Sequence, residues 1–172
     1  VMVIARDGRR ESRAARVSVR VGNQVPKLQR VVLEPSRPVT VEDALTVSAE
    51  GLDPDGDAVG YRYRWIINGS ASGREGKVLP TGWTRRGDRV SVSAIASDGV
   101  EQSTALRSKT VVVQNAPPRI DSEPGAIAAD GVFRYTPRVF DADGDRLFRY
   151  ALLESPRGMR IDLVDGRIEW RP

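Results

Sequence analysis

The 172 residues are 40% hydrophobic, 29% charged and only 6% aromatic, room for one ordinary domain or two small ones around modest cores. Cysteine is absent, and so is histidine, which excludes disulfides, thiolate or imidazole metal sites and any catalytic arrangement built on either side chain. The net charge of +4 is carried almost wholly by arginines scattered along the chain; they alternate with apolar residues as solvated strand faces do, without the aromatic platform or recognition helix of a nucleic-acid binder.

In chain order, short runs rich in Val, Ile and Thr alternate with Gly, Pro and Asp punctuation, the pattern of an all-β protein. Val1-Met-Val-Ile-Ala-Arg-Asp7-Gly8 leads through a charged turn to Val17-Ser-Val19-Arg-Val21 and then Asn23-Gln-Val-Pro26. The same order returns about ninety residues later as Val92-Ser-Ala-Ile-Ala-Ser-Asp98-Gly99, Val111-Val-Val113 and Asn115-Ala-Pro-Pro118. A second landmark recurs at nearly the same period: Asp53-Pro-Asp55-Gly56-Asp57 and Asp141-Ala-Asp143-Gly144-Asp145, each followed by an apolar, aromatic-rich strand. Two landmarks sharing one period predict an internal repeat.

Between the Asn-to-Pro linkers, strands are expected at 30–33, 44–49, 61–67, 89–96 and 108–113. In 61–67, Tyr61, Tyr63 and Trp65 alternate with arginine and so share one face. Asn68-Gly69 is the turn that closes a tight hairpin. No segment has a helical period, and no apolar run approaches the ~20 residues of a transmembrane helix, so no membrane span is expected.

These residues resemble bacterial immunoglobulin-like and cadherin-like repeats. The resemblance rests on Asp-Pro-Asp-Gly-Asp at 53–57, Tyr63-Arg-Trp65, Asn68-Gly69, Gly87-Asp88-Arg-Val90 and Ser97-Asp98-Gly99. In the last stretch it is similar to the dystroglycan-type or putative-immunoglobulin version, through 141–145, Pro156-Arg-Gly158-Met159-Arg-Ile161-Asp162 and Asp165-Gly166-Arg-Ile168-Glu-Trp170-Arg-Pro172. The resemblance implies tandem immunoglobulin-like Greek-key β-sandwiches on an extracellular, cell-surface or periplasmic bacterial protein. The lack of disulfides agrees better with bacterial than with animal secretion. Against this pattern, residues 1–24 read as the closing hairpin of a preceding unit or as donated strands. Residues 25–115 read as a complete sandwich, and 116–172 as a unit lacking its last strands and unable to stand alone. Three resolutions stay open: a piece of a longer array, head-to-tail filaments in which one copy's hairpin completes the next, or ends that are disordered or completed by another protein.

Candidate sites are few. Asp53, Asp55 and Asp57, or Asp141, Asp143 and Asp145, place three carboxylates at alternate positions on a tight turn, where oxygen ligands suit Ca²⁺. The spacing is not that of an EF-hand, and the competing reading is a turn in which aspartate caps backbone amides. Trp83, flanked by Gly82 and Thr84, is the exposed aromatic that can stack on a sugar ring, while Trp65 and Trp170 read as core. Catalysis is not expected. Ser and Lys stand in no nucleophile context, no Gly-rich phosphate loop precedes a helix, and the acidic clusters are turns rather than a glycosidase pair in a pocket. The expected function is therefore structural, a spacer or assembly module whose partners are neighbouring repeats in the same chain or other copies. The alternative is an adhesive module for a surface glycan or protein.

Overall fold

The computed structural model describes all 172 residues and contains sixteen strands and no helix. The chain begins with β1 (Met2–Val3) and β2 (Ala15–Arg16), an isolated antiparallel pair. The central body holds β3 (Lys27–Glu34), β4 (Val39–Thr40), β5 (Leu45–Leu52), β6 (Gly60–Ile67), β7 (Ser70–Glu75), β8 (Val78–Leu79), β9 (Arg89–Ser97), β10 (Leu106–Arg107) and β11 (Val111–Gln114). The last stretch adds β12 (Arg119–Ile120), β13 (Phe133–Tyr135), β14 (Val139–Phe140), β15 (Arg160–Ile161) and β16 (Ile168–Trp170).

Central strands form two sheets, one ordered β4-β11-β9-β6-β7 with β10 on β9, the other β3-β5-β8. Their inner faces share one core. Val31, Leu33, Leu45, Val47 and Leu79 come from the smaller sheet, and Val39, Trp65, Val90, Val92, Ala94 and Val113 from the larger. This is the arrangement of a β-sandwich, in which alternate residues of facing sheets interdigitate. β9 follows the rule closely: Val90, Val92, Ala94 and Ala96 are fully buried. Its small side chains leave room for Trp65 opposite Val92 in β6. Trp65 is 0% exposed, and its indole N–H donates to Gly76 O at 3.0 Å, so its one polar atom is satisfied inside the core.

The hairpin after β6 turns at Asn68 (φ 51°) and Gly69 (φ 84°), the paired left-handed residues of a two-residue turn. Asn68 holds that turn to the neighbouring loop. Its amide donates to Asp88 at 2.8 Å and its carbonyl accepts Arg89 N–H at 2.9 Å. The expected strands appear, mostly with longer bounds. Within this body β4, β7, β8 and the short β10 lie outside the expected strands. β4 pairs parallel to β11, Val113 opposite Val39, so the central body's first crossing between sheets lies beside that body's last strand.

The isolated pair at the start shares its register and most of its turn hydrogen bonds with the β9–β10 hairpin, with every residue number raised by 91. Met2 and Val3 face Arg16 and Ala15 as Ser93 and Ala94 face Arg107 and Leu106. Ser12 N–H reaches Ala5 O at 2.9 Å, and Ser103 N–H reaches Ala96 O at 2.9 Å. The hydroxyls of Ser12 and Ser103 accept Ala5 and Ala96 N–H at 2.9 and 3.0 Å. Asp7 accepts the amides of Arg9 and Arg10, and Asp98 those of Val100 and Glu101. The surroundings differ: β9 lies between β6 and β11 in the sheet, whereas residues 1–22 are exposed throughout. Residues 17–21, expected as a strand, have no ladder partner and are not one.

The last stretch forms two small sheets, β12-β14 and β13-β16-β15. Beyond Val132, Pro137 and the linker residue Ala116, its apolar side chains are only half-buried or exposed.

Candidate functional site

Each acidic turn is built from its own aspartates. Asp53 accepts Asp55 N–H at 2.8 Å, and Asp141 accepts Asp143 N–H at 2.9 Å. A second turn bond closes behind each, Gly56 N–H to Asp53 O and Gly144 N–H to Asp141 O. This is the Asx-turn chemistry that makes aspartate a turn residue.

What each turn does next is the same in both places. The second aspartate accepts a backbone N–H from the linker entering its own body. Gln24 N–H donates to Asp55 Oδ2 at 2.7 Å, and Ala116 N–H donates to Asp143 Oδ2 at 2.6 Å. Gln24 and Ala116 both follow the linker asparagine. A charge-assisted bond to a carboxylate contributes about 1.5–3 kcal/mol where partly shielded. Gln24 adds its side-chain amide to Asp55 Oδ1 at 3.0 Å.

The asparagines anchor in different company. Asn23 donates to Asp98 at 2.9 Å and Glu101 at 3.1 Å, at the tip of the β9–β10 hairpin. That contact, with the amides of Glu101 and Val100, holds the Asp98 carboxyl below its ordinary range. Asn115 instead accepts from Arg86, whose guanidinium also grips Asp145 at 2.6 and 3.1 Å. Arg86 keeps the Asp145 carboxyl low. A second cross-link, Arg119 to Glu42 at 2.7 Å, spans the same junction. Both ion pairs are roughly half exposed, so each adds about 0–1 kcal/mol and serves mainly to orient the two bodies.

As metal sites the turns have most of their oxygens engaged. Asp55 is taken by Gln24, Asp145 by Arg86, and Asp141 Oδ1 by two backbone amides. No three acidic side chains stand together as a metal-holding group. Two oxygens are buried without any partner, Asp53 Oδ2 and Asp143 Oδ1, and Asp53 as a residue is only 8% exposed. Asp57 is exposed.

Trp83 is 43% exposed, with the Arg74 guanidinium 5.8 Å from its ring centre, so one face already carries a cation. Trp170 is half-buried and donates to Arg157 O at 3.2 Å. Sequence reasoning singled out the aspartates and Trp83 and marked Asp98 only as a turn landmark, but missed Arg86, Glu101 and Glu42. The available signal was positional, since an Asn two or three residues before Pro recurs with each acidic turn. Nothing in the residues around Arg86 marks it.

No family model, curated protein or solved structure matches the chain.

Proposed function

We propose that this chain is a non-catalytic spacer or assembly module of a bacterial cell-surface or extracellular protein. In this reading it is built of tandem immunoglobulin-like Greek-key units, with 1–24, 25–115 and 116–172 belonging to successive units. The supporting observation is the repeated clamp, Gln24 on Asp55 and Ala116 on Asp143. A binding loop has no need to hold its own linker twice in the same way; a rod whose length must be kept does. Pro26, Pro117 and Pro118 restrict the same segments further.

Small-angle scattering tests the reading. Wild type is expected to give a narrow distance distribution with an extended tail. In Asp55→Ala/Asp143→Ala that distribution broadens and its maximum falls. A double variant indistinguishable from wild type would remove the mechanical role of the clamps.

An adhesive module is the alternative, favoured by the exposed ring of Trp83 with Arg74 beside it. Retention on polysaccharide that Trp83→Ala abolishes would select it. Calcium at Asp53, Asp55 and Asp57 or at Asp141, Asp143 and Asp145 is a cofactor reading, favoured by the two partnerless carboxylate oxygens. Heat on calcium titration with a raised melting midpoint supports it, and a flat titration disposes of it.

A further inference from the structure

In the central body the smaller sheet ends in β3, an eight-residue strand whose only ladder partner is β5. Which of its backbone groups face outward follows from β5. Val47 N–H points away from β3, to Lys77 O at 3.0 Å, so Thr46, Ser48 and Glu50 are the residues of β5 that turn toward β3. Opposite them lie Glu34, Val32 and Arg30. The backbone of a strand alternates sides, so the N–H and C=O of Val31 and Leu33 point the other way. No ladder takes those groups, and no loop amide or carbonyl meets them. The space beside them is open. A groove of about 750 Å³ runs along the edge, with Val31, Val32 and Leu33 on one side and Val111 and Val112 on the other. Other sheet edges of this body are poorer templates: β7 has Gly73 at φ 77° in its middle, and β4 and β8 are two residues each.

The side chains select what this edge can pair with. Val31 and Leu33 enter the core, at 9% and 6% exposed, so Arg30, Val32 and Glu34 share the outer face. Arg30 and Glu34 are exposed and enter no ion pair in the chain; they stand about 13 Å apart along the strand. Their signs are opposite, and each lies two residues from Val32. A strand edge guarded against pairing carries like charges, commonly lysine. This one is complementary to itself.

We propose that β3 is a dimerisation edge, pairing antiparallel with β3 of a second copy about a two-fold axis through Val32. Val31 then exchanges both N–H···O bonds with Leu33 of the second copy, and Leu33 does the same with Val31 of that copy, so every outward group is used. Val32 meets its own counterpart, and Arg30 lies opposite Glu34 on each side of the axis. Moving the centre to Val31 sets Arg30 opposite Val32. Moving it to Leu33 sets Val31 against Pro35, which has no N–H. Only the register centred on Val32 matches both the charges and the hydrogen bonds. The joined sheet runs β8-β5-β3 and then its two-fold mate, an isologous contact that closes at two copies. The contact is short, so association is weak and concentration-dependent. The inference goes beyond the spacer reading, because Asp55 and Asp143 take no part in it.

Charge reversal on the full chain tests it. Arg30→Glu and Glu34→Arg each place like charges across the axis, twice. In sedimentation equilibrium, wild type is expected to shift from monomer to dimer as concentration rises, and each variant to associate several-fold more weakly. The double variant Arg30→Glu/Glu34→Arg, whose net charge is that of wild type, recovers dimerisation because the opposite charges face each other again. A second measurement uses the absence of any native cysteine. Directly opposed residues that share no hydrogen bond come close enough for a disulfide. Oxidised Val32→Cys is therefore expected to give a covalent dimer at several times the yield of Ser48→Cys, which lies beside it on β5 and is more exposed. A monomer at every concentration, single variants that associate like wild type, or cross-linking no better than from Ser48→Cys overturns the proposal. Scattering at high dilution reads the clamps on single molecules, so the spacer reading fails or survives separately.

Discussion

Gln24 and Ala116 each follow an asparagine, Ala116 directly before Pro117 and Gln24 two residues before Pro26, in linkers that prolines keep extended and whose amides no strand ladder takes. Asp55 and Asp143 supply the acceptor. Replacing Asp143 with alanine is expected to orphan the Ala116 amide and lower stability at this junction by about 1–3 kcal/mol, seen as faster amide exchange at Ala116 with the central body unaffected. Acid acts on the same junctions. Asn23 and neighbouring amides hold Asp98 below its ordinary value, and Arg86 does so for Asp145. A carboxyl whose folded value is depressed adds stability above its unfolded value, near pH 4, and loses it as pH falls through the folded value. Both junctions should therefore stay closed at pH 5 and open only below about pH 4, followed by the NMR shifts of the Asn23 side-chain amide and the Arg86 guanidinium. Opening already at pH 6 would contradict this. In the core, Trp65→Ala is expected to cost about 3–5 kcal/mol in denaturant unfolding, because it empties a fully buried site between the two sheets and leaves Gly76 O without its donor.

Among the elements, those with side chains that alternate about a buried face were legible in sequence. β6 showed Tyr61, Tyr63 and Trp65 every second residue, β9 its Val and Ala row, and Asn68-Gly69 the turn between β6 and β7. β7, with sequence Ser-Ala-Ser-Gly-Arg-Glu, carries no such signal because it is an edge strand lying largely in solvent. β4 and β8 are two residues each, held by what they meet rather than by what they contain. The parallel β4–β11 pairing joins residues more than seventy apart, a long-range match with no local signature. The acidic turns were visible as clusters, but their acceptor role was not, because a carboxylate reads alike whether a cation or an amide lies before it. At this scale the hairpin of residues 1–17 is expected to be marginal in isolation, as two-stranded ribbons are. Val17→Asp should therefore leave the main calorimetric transition within ~0.5 kcal/mol of wild type, while Val92→Asp in β9, fully buried, abolishes it. Equal effects at the two positions would mean that the first hairpin packs into a core within the same molecule.

Over the whole molecule, only the central body is closed, with two sheets sharing one core. It is joined to the last stretch by Ala116 on Asp143, Arg86 on Asp145 and Arg119 on Glu42. None of these is strong alone, but all three join the two bodies across one linker, and together they are expected to restrain its angle. A spacer depends on that angle. Residual dipolar couplings from the amides of β9 and β6, compared with those of β13 and β16, measure it directly. One alignment tensor fitting both sets is the predicted result, separating into two only when Arg86→Ala and Asp143→Ala are combined. Two tensors of different magnitude in wild type would contradict it, because the bodies would then be turning independently about an unclamped linker.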